Sequence, residues 1–573
     1  MHKNETATWG SYPRPQMKRE TYKILNGIWK CNGKEIRVPF PPQSELSGYT
    51  SEVTDVLEYE LSFQIPKVFT KERVLLHFGA VDQIAKVWVN DYFLGQHEGG
   101  YLPFTFDVTE AVSLDGWNVL RVETTDTLDL NYPYGKQCKK RGGMWYTPVS
   151  GIWQTVWLEN VPEQYIEKVN ITPDLTGIHM EVKFGGAGKN GEDSIWALGK
   201  ETHTALDKPC DVSYEIQCPD GSKMSGILTE GFGRIEIENP RLWDVDDPYL
   251  YSMKLMTGQD EVETYFALRT IQIEKRKGIH RVCLNGKPVF LHGVLDQGYF
   301  QEGIYLPFEE EEYERDVLRM KELGFNMLRK HIKIEPEAFY YACDKLGMLV
   351  VQDMVNSGSY SWTFDTALPT IGFKKRRDTK GDINGRREQI FKEQMAGTLA
   401  HLYNHPSIIM YTIFNEGWGQ FHSDAMYDLA KSMDNSRLYD SASGWFAQKK
   451  NDFDSEHIYF KVIDLKVRER PLFVSECGGY ALPVTSHLFN PDNEYGYGKC
   501  KDSEDLTERI AHMYRKMILP GIKKGACGCV YTQLSDVEDE VNGLYTYDRQ
   551  VCKVIKDKMK QISDELYGEI EQC

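Results

Sequence analysis

The strongest constraint on this chain is a change of grammar near residue 280. Beyond it, short apolar runs alternate with amphipathic stretches: "PVFLHGV", the acidic-start "EEEEYERDVLRMKELG", "FNMLRKHI", "EPEAFYYACDKLG" and "MLVVQDM". Later runs read "SIIMYTIFN", "RLYDSAS", "HIYF", "PLFVSE" and "GCVYTQLS". This pattern predicts about eight strands with helices between them in about 290 residues, the size of a (β/α)8 TIM barrel. The terminal "VCKVIKDKMKQISDELYGEI" spaces its apolar residues helically and is read as the closing helix. An open doubly wound sheet is the alternative, but no glycine-rich phosphate turn follows any strand.

Before that boundary the chain reads as strands and turns. "LEYELSFQIP" puts Leu57, Tyr59, Leu61, Phe63 and Ile65 on one face by strict alternation. "AKVWVNDYFLG" reads as two strands around an Asn90-Asp91 turn. Residues 1–162 are therefore expected to form a β-sandwich. Residues 163–275, with "YIEKVNITPDLTGIHMEVKF", the polar loop "GGAGKNGED" and "YLYSMKLM", suit a smaller immunoglobulin-like sandwich. The barrel then takes residues 276–573.

Charge limits the partners. With 67 basic against 85 acidic residues the formal charge is −18, which argues against nucleic acid and against anionic membranes. The first twenty residues lack an apolar signal core and no run reaches a membrane span. Twelve scattered cysteines, "CGC" at 527–529 included, show no zinc spacing and read as free thiols of a cytoplasmic protein. No cofactor is expected.

Barrel chemistry sits at the carboxyl ends of the strands. Carboxylates at those ends are Asp296, Asp353, Glu416, Glu476 and Asp536. Glu416, ending the fourth strand, and Glu476, ending the seventh, would face each other across one rim. Two such carboxylates are what glycosidic cleavage needs: one protonates the leaving oxygen while the other attacks the anomeric carbon or activates water. Asn415 offers an amide to a sugar hydroxyl, and Trp418, Trp445, Tyr459 and Tyr480 offer faces for pyranose rings.

Six long motifs resemble glycoside hydrolase family 2, the β-galactosidases, β-glucuronidases and β-mannosidases. "LNGIWK" with "IRVPFPPQSELSG", "HFGAVDQIAKVWVNDYFLGQHEGGYLPFTFDVT" and "TPVSGIWQTVWLE" resemble its sugar-binding jelly-roll domain. "LWDVDDPYLY" with "YFALRTIQI" resembles the end of its immunoglobulin-like domain. "FNEGWG" and "FVSECGGY" resemble its acid/base and nucleophile strands. The resemblance implies a retaining exo-β-glycosidase with Glu416 as acid/base and Glu476 as nucleophile. Asn415 would hold the hydroxyl beside the anomeric centre. Asp296, Arg329, His331 and Asp353 would grip the sugar or orient the glutamates, and Tyr459 would steady the nucleophile. Some relatives use a cation, but no ligand cluster in the sequence argues for one.

Departures bear on the substrate. The Asn-x-Lys element with which β-glucuronidases of the family hold a carboxylate is missing, since Asn542 is followed by Gly543 and Leu544. Asp296-Gln297 stands where many relatives place His with an acidic neighbour, and the eighth strand offers Gln533 where a Trp platform is common. The expected substrate is a small carbohydrate or glycoside, most simply a β-galactoside. Uronic acid, mannose, arabinopyranose and galactofuranose stay open, as does a catalytically silent carbohydrate-binding relative; a homo-oligomer is compatible with all of these. Residues 356–388 read as a long loop whose basic run 374–377 would suit an anionic ligand or a solvated surface.

Overall fold

The computed structural model describes residues 9–186, 210–374, 376–380, 385–459 and 461–572. Most of the polar loop at 185–193, and Lys375 of the basic run, lie outside them. Among the described residues no helix is long and apolar enough to cross a membrane.

The N-terminal unit is a jelly-roll sandwich. A six-stranded antiparallel sheet is centred on Val56–Gln64 and Trp117–Thr125, and it faces a four-stranded sheet centred on Val156–Val161 and Arg73–Phe78. Leu57, Tyr59 and Phe63 point inward from the first sheet to meet Leu76, Phe78 and Leu158 of the second. That is the outcome of period-two alternation with one covered face. The central unit repeats the principle with a three-stranded and a four-stranded sheet around Ile171, Met180, Leu255 and Val262.

The third unit is the TIM barrel. Its eight parallel strands are Leu291–Asp296, Met327–Lys330, Leu349–Asp353, Ile408–Thr412, Leu438–Asp440, Asp454–Ile458, Leu472–Gly478 and Ala526–Thr532. The first strand pairs with both the second and the eighth, and the sheet runs unbroken from the fifth round to the sixth. The strands are apolar on both faces because side chains fill the interior while helices cover the outside. Lys556–Glu571 is the closing helix. The lower end is sealed by a hairpin, Ile271–Arg276 with Ile279–Leu284, whose Ile271, Val282 and Leu284 meet Leu291, Met327, Leu349 and Phe473. The upper end is left for chemistry.

The expected structureless loop at 356–388 carries helical turns among its described residues. Trp362–Ala367 and Leu368–Thr370 form turns of helix, and Gly385–His401 begins the long helix before the fourth strand. Of its basic run, Arg377 is exposed, whereas Lys374 pairs with Glu456 and Arg376 binds Asp365 at 2.7 Å and the Gly417 carbonyl at 2.5 Å. Lys374 and Arg376 fasten the segment to the rim.

Candidate active site

Arg329 organises the rim. It lies inside the second strand and is fully buried. Its guanidinium donates to both Asp353 oxygens at 3.1 Å, to the Ser475 carbonyl at 2.9 Å and to Glu476 Oε1 at 3.1 Å. It also donates to Asn415 Oδ1 and Ser443 Oγ, each at 3.0 Å. A rigid fork with five N–H groups can hold four strands in register at once, which an ammonium cannot. Asp353 is shared with His331, whose Nδ1 lies 2.7 Å from Asp353 Oδ2. Burial pushes His331 down, so the ring is neutral; burial would push Asp353 up, but Arg329 and His331 outweigh it and hold it low.

Glu476 sits within the seventh strand. Besides Arg329 it accepts from the Tyr459 hydroxyl at 2.5 Å on Oε2. Burial alone would raise its pKa, but the neighbouring His457 and Arg329, with His331 and Tyr459 behind them, bring it down to about 2. An ionised carboxylate held still is what a nucleophile needs. Burial, with Glu476 and Glu416 beside it, keeps the Tyr459 hydroxyl protonated well beyond the ordinary range.

Glu416 follows the fourth strand by four residues. Its amide donates to the Ser443 carbonyl at 3.1 Å, and its backbone is left-handed at φ +54°. That conformation is unusual outside glycine and is common where a side chain must be aimed. Gly417 follows at φ +72°, where a Cβ would meet the Phe446 ring at 2.2 Å. The carboxylate is 15% exposed against 6% for Glu476, so it faces the opening. Its Oε1 lies 2.8 Å from His457 Nδ1 and 3.3 Å from the Tyr459 hydroxyl. One donor atom of each of Glu416, His457 and Glu476 lies within 4.8 Å of the others. The three do not fit a cation cage: Arg329 already occupies Glu476, Tyr459 bonds both glutamates, and the guanidinium would repel a divalent ion.

The other expected site residues divide between the rim and its surroundings. Asp296 is not brought to the glutamates; it binds Lys330 at 2.6 Å, and Lys330 in turn binds Glu335 at 2.9 Å. Lys330 follows Arg329 directly, so the strand sends the two cations to opposite faces. Trp418 has no free face for a sugar, being 2% exposed and edge-on to Tyr134 and Trp145. Trp445 is 5% exposed, and its indole N–H reaches the carbonyls of Asp365 and Glu416. Gln533 is fully buried and donates to Glu540 at 2.5 Å and Asn542 at 2.8 Å. Asn415 uses its carbonyl on Arg329 and on Ser443 at 2.6 Å, which leaves the NH2 as the group it can offer.

Sequence reasoning missed His457, Ser443, Glu540 and an entire wall. His457 stands two residues before Tyr459, so strand alternation alone places both on one face. The wall comes from the N-terminal sandwich. Tyr146 donates to Glu540 at 2.9 Å, the Thr147 amide to Glu538 at 2.9 Å and Arg141 to Asp539 at 3.2 Å. Trp145 closes on Trp418 and Tyr360 at ring distances of 4.9 and 5.2 Å. Lys136, on the same segment, is 9% exposed and makes no ion pair among the described residues. Its charge helps keep His331 neutral and opposes the rise that burial imposes on Glu540.

Comparison with known proteins gives a consistent picture. Models of glycosyl hydrolases family 2 match in order: the sugar binding domain over residues 37–162, the central family 2 domain over 164–269 and the TIM barrel domain over 273–468. A β-galactosidase of Thermoanaerobacter pseudethanolicus is 26% identical over 395 residues, 66% of this chain and 47% of the relative. A putative β-glucuronidase of Formosa agariphila is 24% identical over 494 residues, 79% of this chain and 53% of the relative. The chain thus spans about half the length of the curated relatives it matches. Among solved structures, a β-D-glucuronidase of Dictyoglomus thermophilum superposes with a TM-score of 0.74 at 18% identity, covering 96% of this chain and 98% of that one. A β-galacturonidase of Eisenbergiella tayi gives 0.67 at 18%, covering 96% and 97%. At such identities the structures speak for the fold.

Proposed function

Since the chain belongs to glycoside hydrolase family 2, we propose that it is a retaining exo-β-glycosidase, with Glu476 as nucleophile and Glu416 as acid/base. The observation that carries this reading is the carboxylate pair, with donor oxygens within 4.8 Å of each other, one oxygen set held ionised and the other turned to the opening. Retaining enzymes place their carboxyl groups about 5–5.5 Å apart, whereas inverting enzymes need room for a water between them. In the first step Glu476 attacks the anomeric carbon as Glu416 gives its proton to the departing oxygen. In the second, Glu416 takes a proton from water, which displaces Glu476. Asn415 offers its NH2 to the hydroxyl beside the reacting carbon, and Arg329 keeps Asn415 and Glu476 in fixed relation.

The first choice of substrate is a terminal β-galactoside. A second reading, a β-linked uronide, is favoured by Lys136: a buried ammonium on the cleft wall, with no direct ion pair among the described residues, is suited to a sugar carboxylate. The eleven described cysteines are all unpaired, which supports a reducing, cytoplasmic setting.

A panel of nitrophenyl β-glycosides tests both readings. Turnover of the galactoside, with Glu476→Ala inactive and rescued by azide as the α-glycosyl azide, is the expected result. Preference for the uronide, lost in Lys136→Met, would select the second reading. Measurable sugar binding with no turnover of any glycoside would sink the enzyme and leave a silent binding protein.

A further inference from the structure

His457 occupies a position that the two-carboxylate scheme leaves without a role. Its ring stands between both glutamates, Nδ1 2.8 Å from Glu416 Oε1 and Nε2 3.6 Å from Glu476 Oε1. Its side chain is fully buried, and Nε2 has no hydrogen-bond partner of its own among the described residues. Backbone register fixes it there, since His457 and Glu476 are direct partners in the ladder between the sixth and seventh strands.

The surroundings are shaped for an imidazole. Gly444, at φ +81°, lies under the ring, and a Cβ there would come within 2.8 Å of His457 Cγ. Trp445 closes edge-on at 5.4 Å. The ionisable groups facing the ring are Glu416 from the loop after the fourth strand, Glu476 from the seventh, Tyr459 from its own segment and Asp440, at the end of the fifth strand, more remotely. Arg329, a fixed cation of the same rim, is spent on Asp353 and Glu476.

Resting on the retaining-glycosidase reading, we propose that His457 is a positioning residue that shares the acid/base proton with Glu416, so that the working acid is the Glu416–His457 pair. In the first half-reaction the pair gives one proton to the leaving oxygen as the glycosidic bond breaks and Glu476 bonds the anomeric carbon. What remains is a Glu416 carboxylate and a neutral imidazole donating to it. In the second half-reaction the attacking water returns one proton to the pair while its oxygen takes the carbon from Glu476. The terminal torsion of a glutamate is broad and two-fold, so the carboxyl can turn between imidazole and substrate. A pair of coupled sites keeps its last proton to higher pH than either acceptor would alone. His457 thereby extends the range over which the acid is loaded.

The test is the pH dependence of kcat/KM for two aryl glycosides of the preferred sugar, one with a 2,4-dinitrophenyl and one with a phenyl leaving group. In His457→Asn, whose amide nitrogen replaces Nδ1 but cannot titrate, the basic limb should move to lower pH. The phenyl glycoside should lose at least about tenfold more activity than the dinitrophenyl one, which needs little acid assistance. His457→Gln, reaching the Nε2 position instead, should behave alike. Wild-type protein supplies an arm free of substitutions: a limb governed by a pair containing imidazole moves to lower pH on warming, whereas a carboxyl alone hardly moves. A limb that stays in place in the variants with both substrates impaired equally, or a wild-type limb insensitive to temperature, overturns the proposal. Absence of any wild-type turnover would instead refute the underlying reading, so the two failures are distinct.

Discussion

Replacing Arg329 by methionine should produce one of the largest single-residue effects in the molecule. The substitution keeps most of the stem's bulk and removes the guanidinium, leaving Asp353 and Glu476 buried at 1% and 6% side-chain exposure. Breaking a buried ion pair by removing one partner costs about 3–5 kcal/mol. A second scale is internal to the site: holding Glu476 at about 2 rather than 4.5 is worth about 3 kcal/mol, shared between His457, Arg329 and Tyr459. The first scale sets the expected loss at about 3–5 kcal/mol at pH 7, of which the Glu476 share is below about 3; this is on the order of 5–10 °C in the barrel's thermal midpoint.

The pH dependence has a definite sign. Glu476 titrates lower folded than unfolded, so its contribution is fully present above pH 4.5 and is lost as pH falls from 4.5 towards 2. Without Arg329, burial pushes both carboxylates up, and each must take a proton to stay inside. The variant's deficit should therefore be greatest at pH 7–8 and should narrow as pH falls towards 5. Thermal unfolding of wild type and Arg329→Met at pH 5, 6, 7 and 8, followed by calorimetry, reads this directly. Midpoints within about 2 °C at every pH, or a deficit that widens on acidification, would refute the account of the site as an arginine-centred network.

Three further outcomes are expected. Tyr459→Phe removes the hydroxyl shared by Glu476 and Glu416 and should lower kcat/KM about 10–100-fold with the thermal midpoint little changed; an unaltered kcat/KM would show that this bond is idle. Trp145→Ala opens the aromatic wall at Trp418 and Tyr360 and should raise KM about tenfold while kcat holds, as steady-state kinetics would show. Glu337, far from the cleft, is pushed by burial from 4.5 up to about 7, so its folded-state advantage exists below pH 4.5 and is lost as pH rises through 7. Glu337→Gln should accordingly stabilise the protein at pH 8, by up to about 3 kcal/mol, and make no difference near pH 4.5; a lower midpoint at pH 8 would contradict this.

The architecture was legible because strand and helix periods are local properties, and the rim glutamates because each closes an apolar run, although Glu416 lies four residues past its strand and Glu476 inside its own. What a strand end does not disclose is the face to which a side chain turns. Asp296 and Asp353 look alike in sequence, yet one joins Lys330 and the other Arg329, because these neighbouring cations point opposite ways. Aromatic residues beside Glu416 suggested sugar platforms, but Trp418 is consumed in packing and in a bond to the Tyr134 hydroxyl, and Trp445 in bonds to backbone carbonyls. His457 was within reach of alternation counting from Tyr459. Lys136 and Tyr146 were not, since they meet the barrel across about 400 residues of chain, a separation that no local pattern reports.

That long reach has a consequence for how such a cleft can change. Tyr134, Arg141, Trp145 and Tyr146 belong to a unit that carries neither glutamate, yet they form one side of the rim around both. Selectivity can drift by mutation in the sandwich while the reacting groups stay untouched. Conversely, a barrel grafted onto a foreign sandwich would keep both glutamates and lose one side of the rim around them.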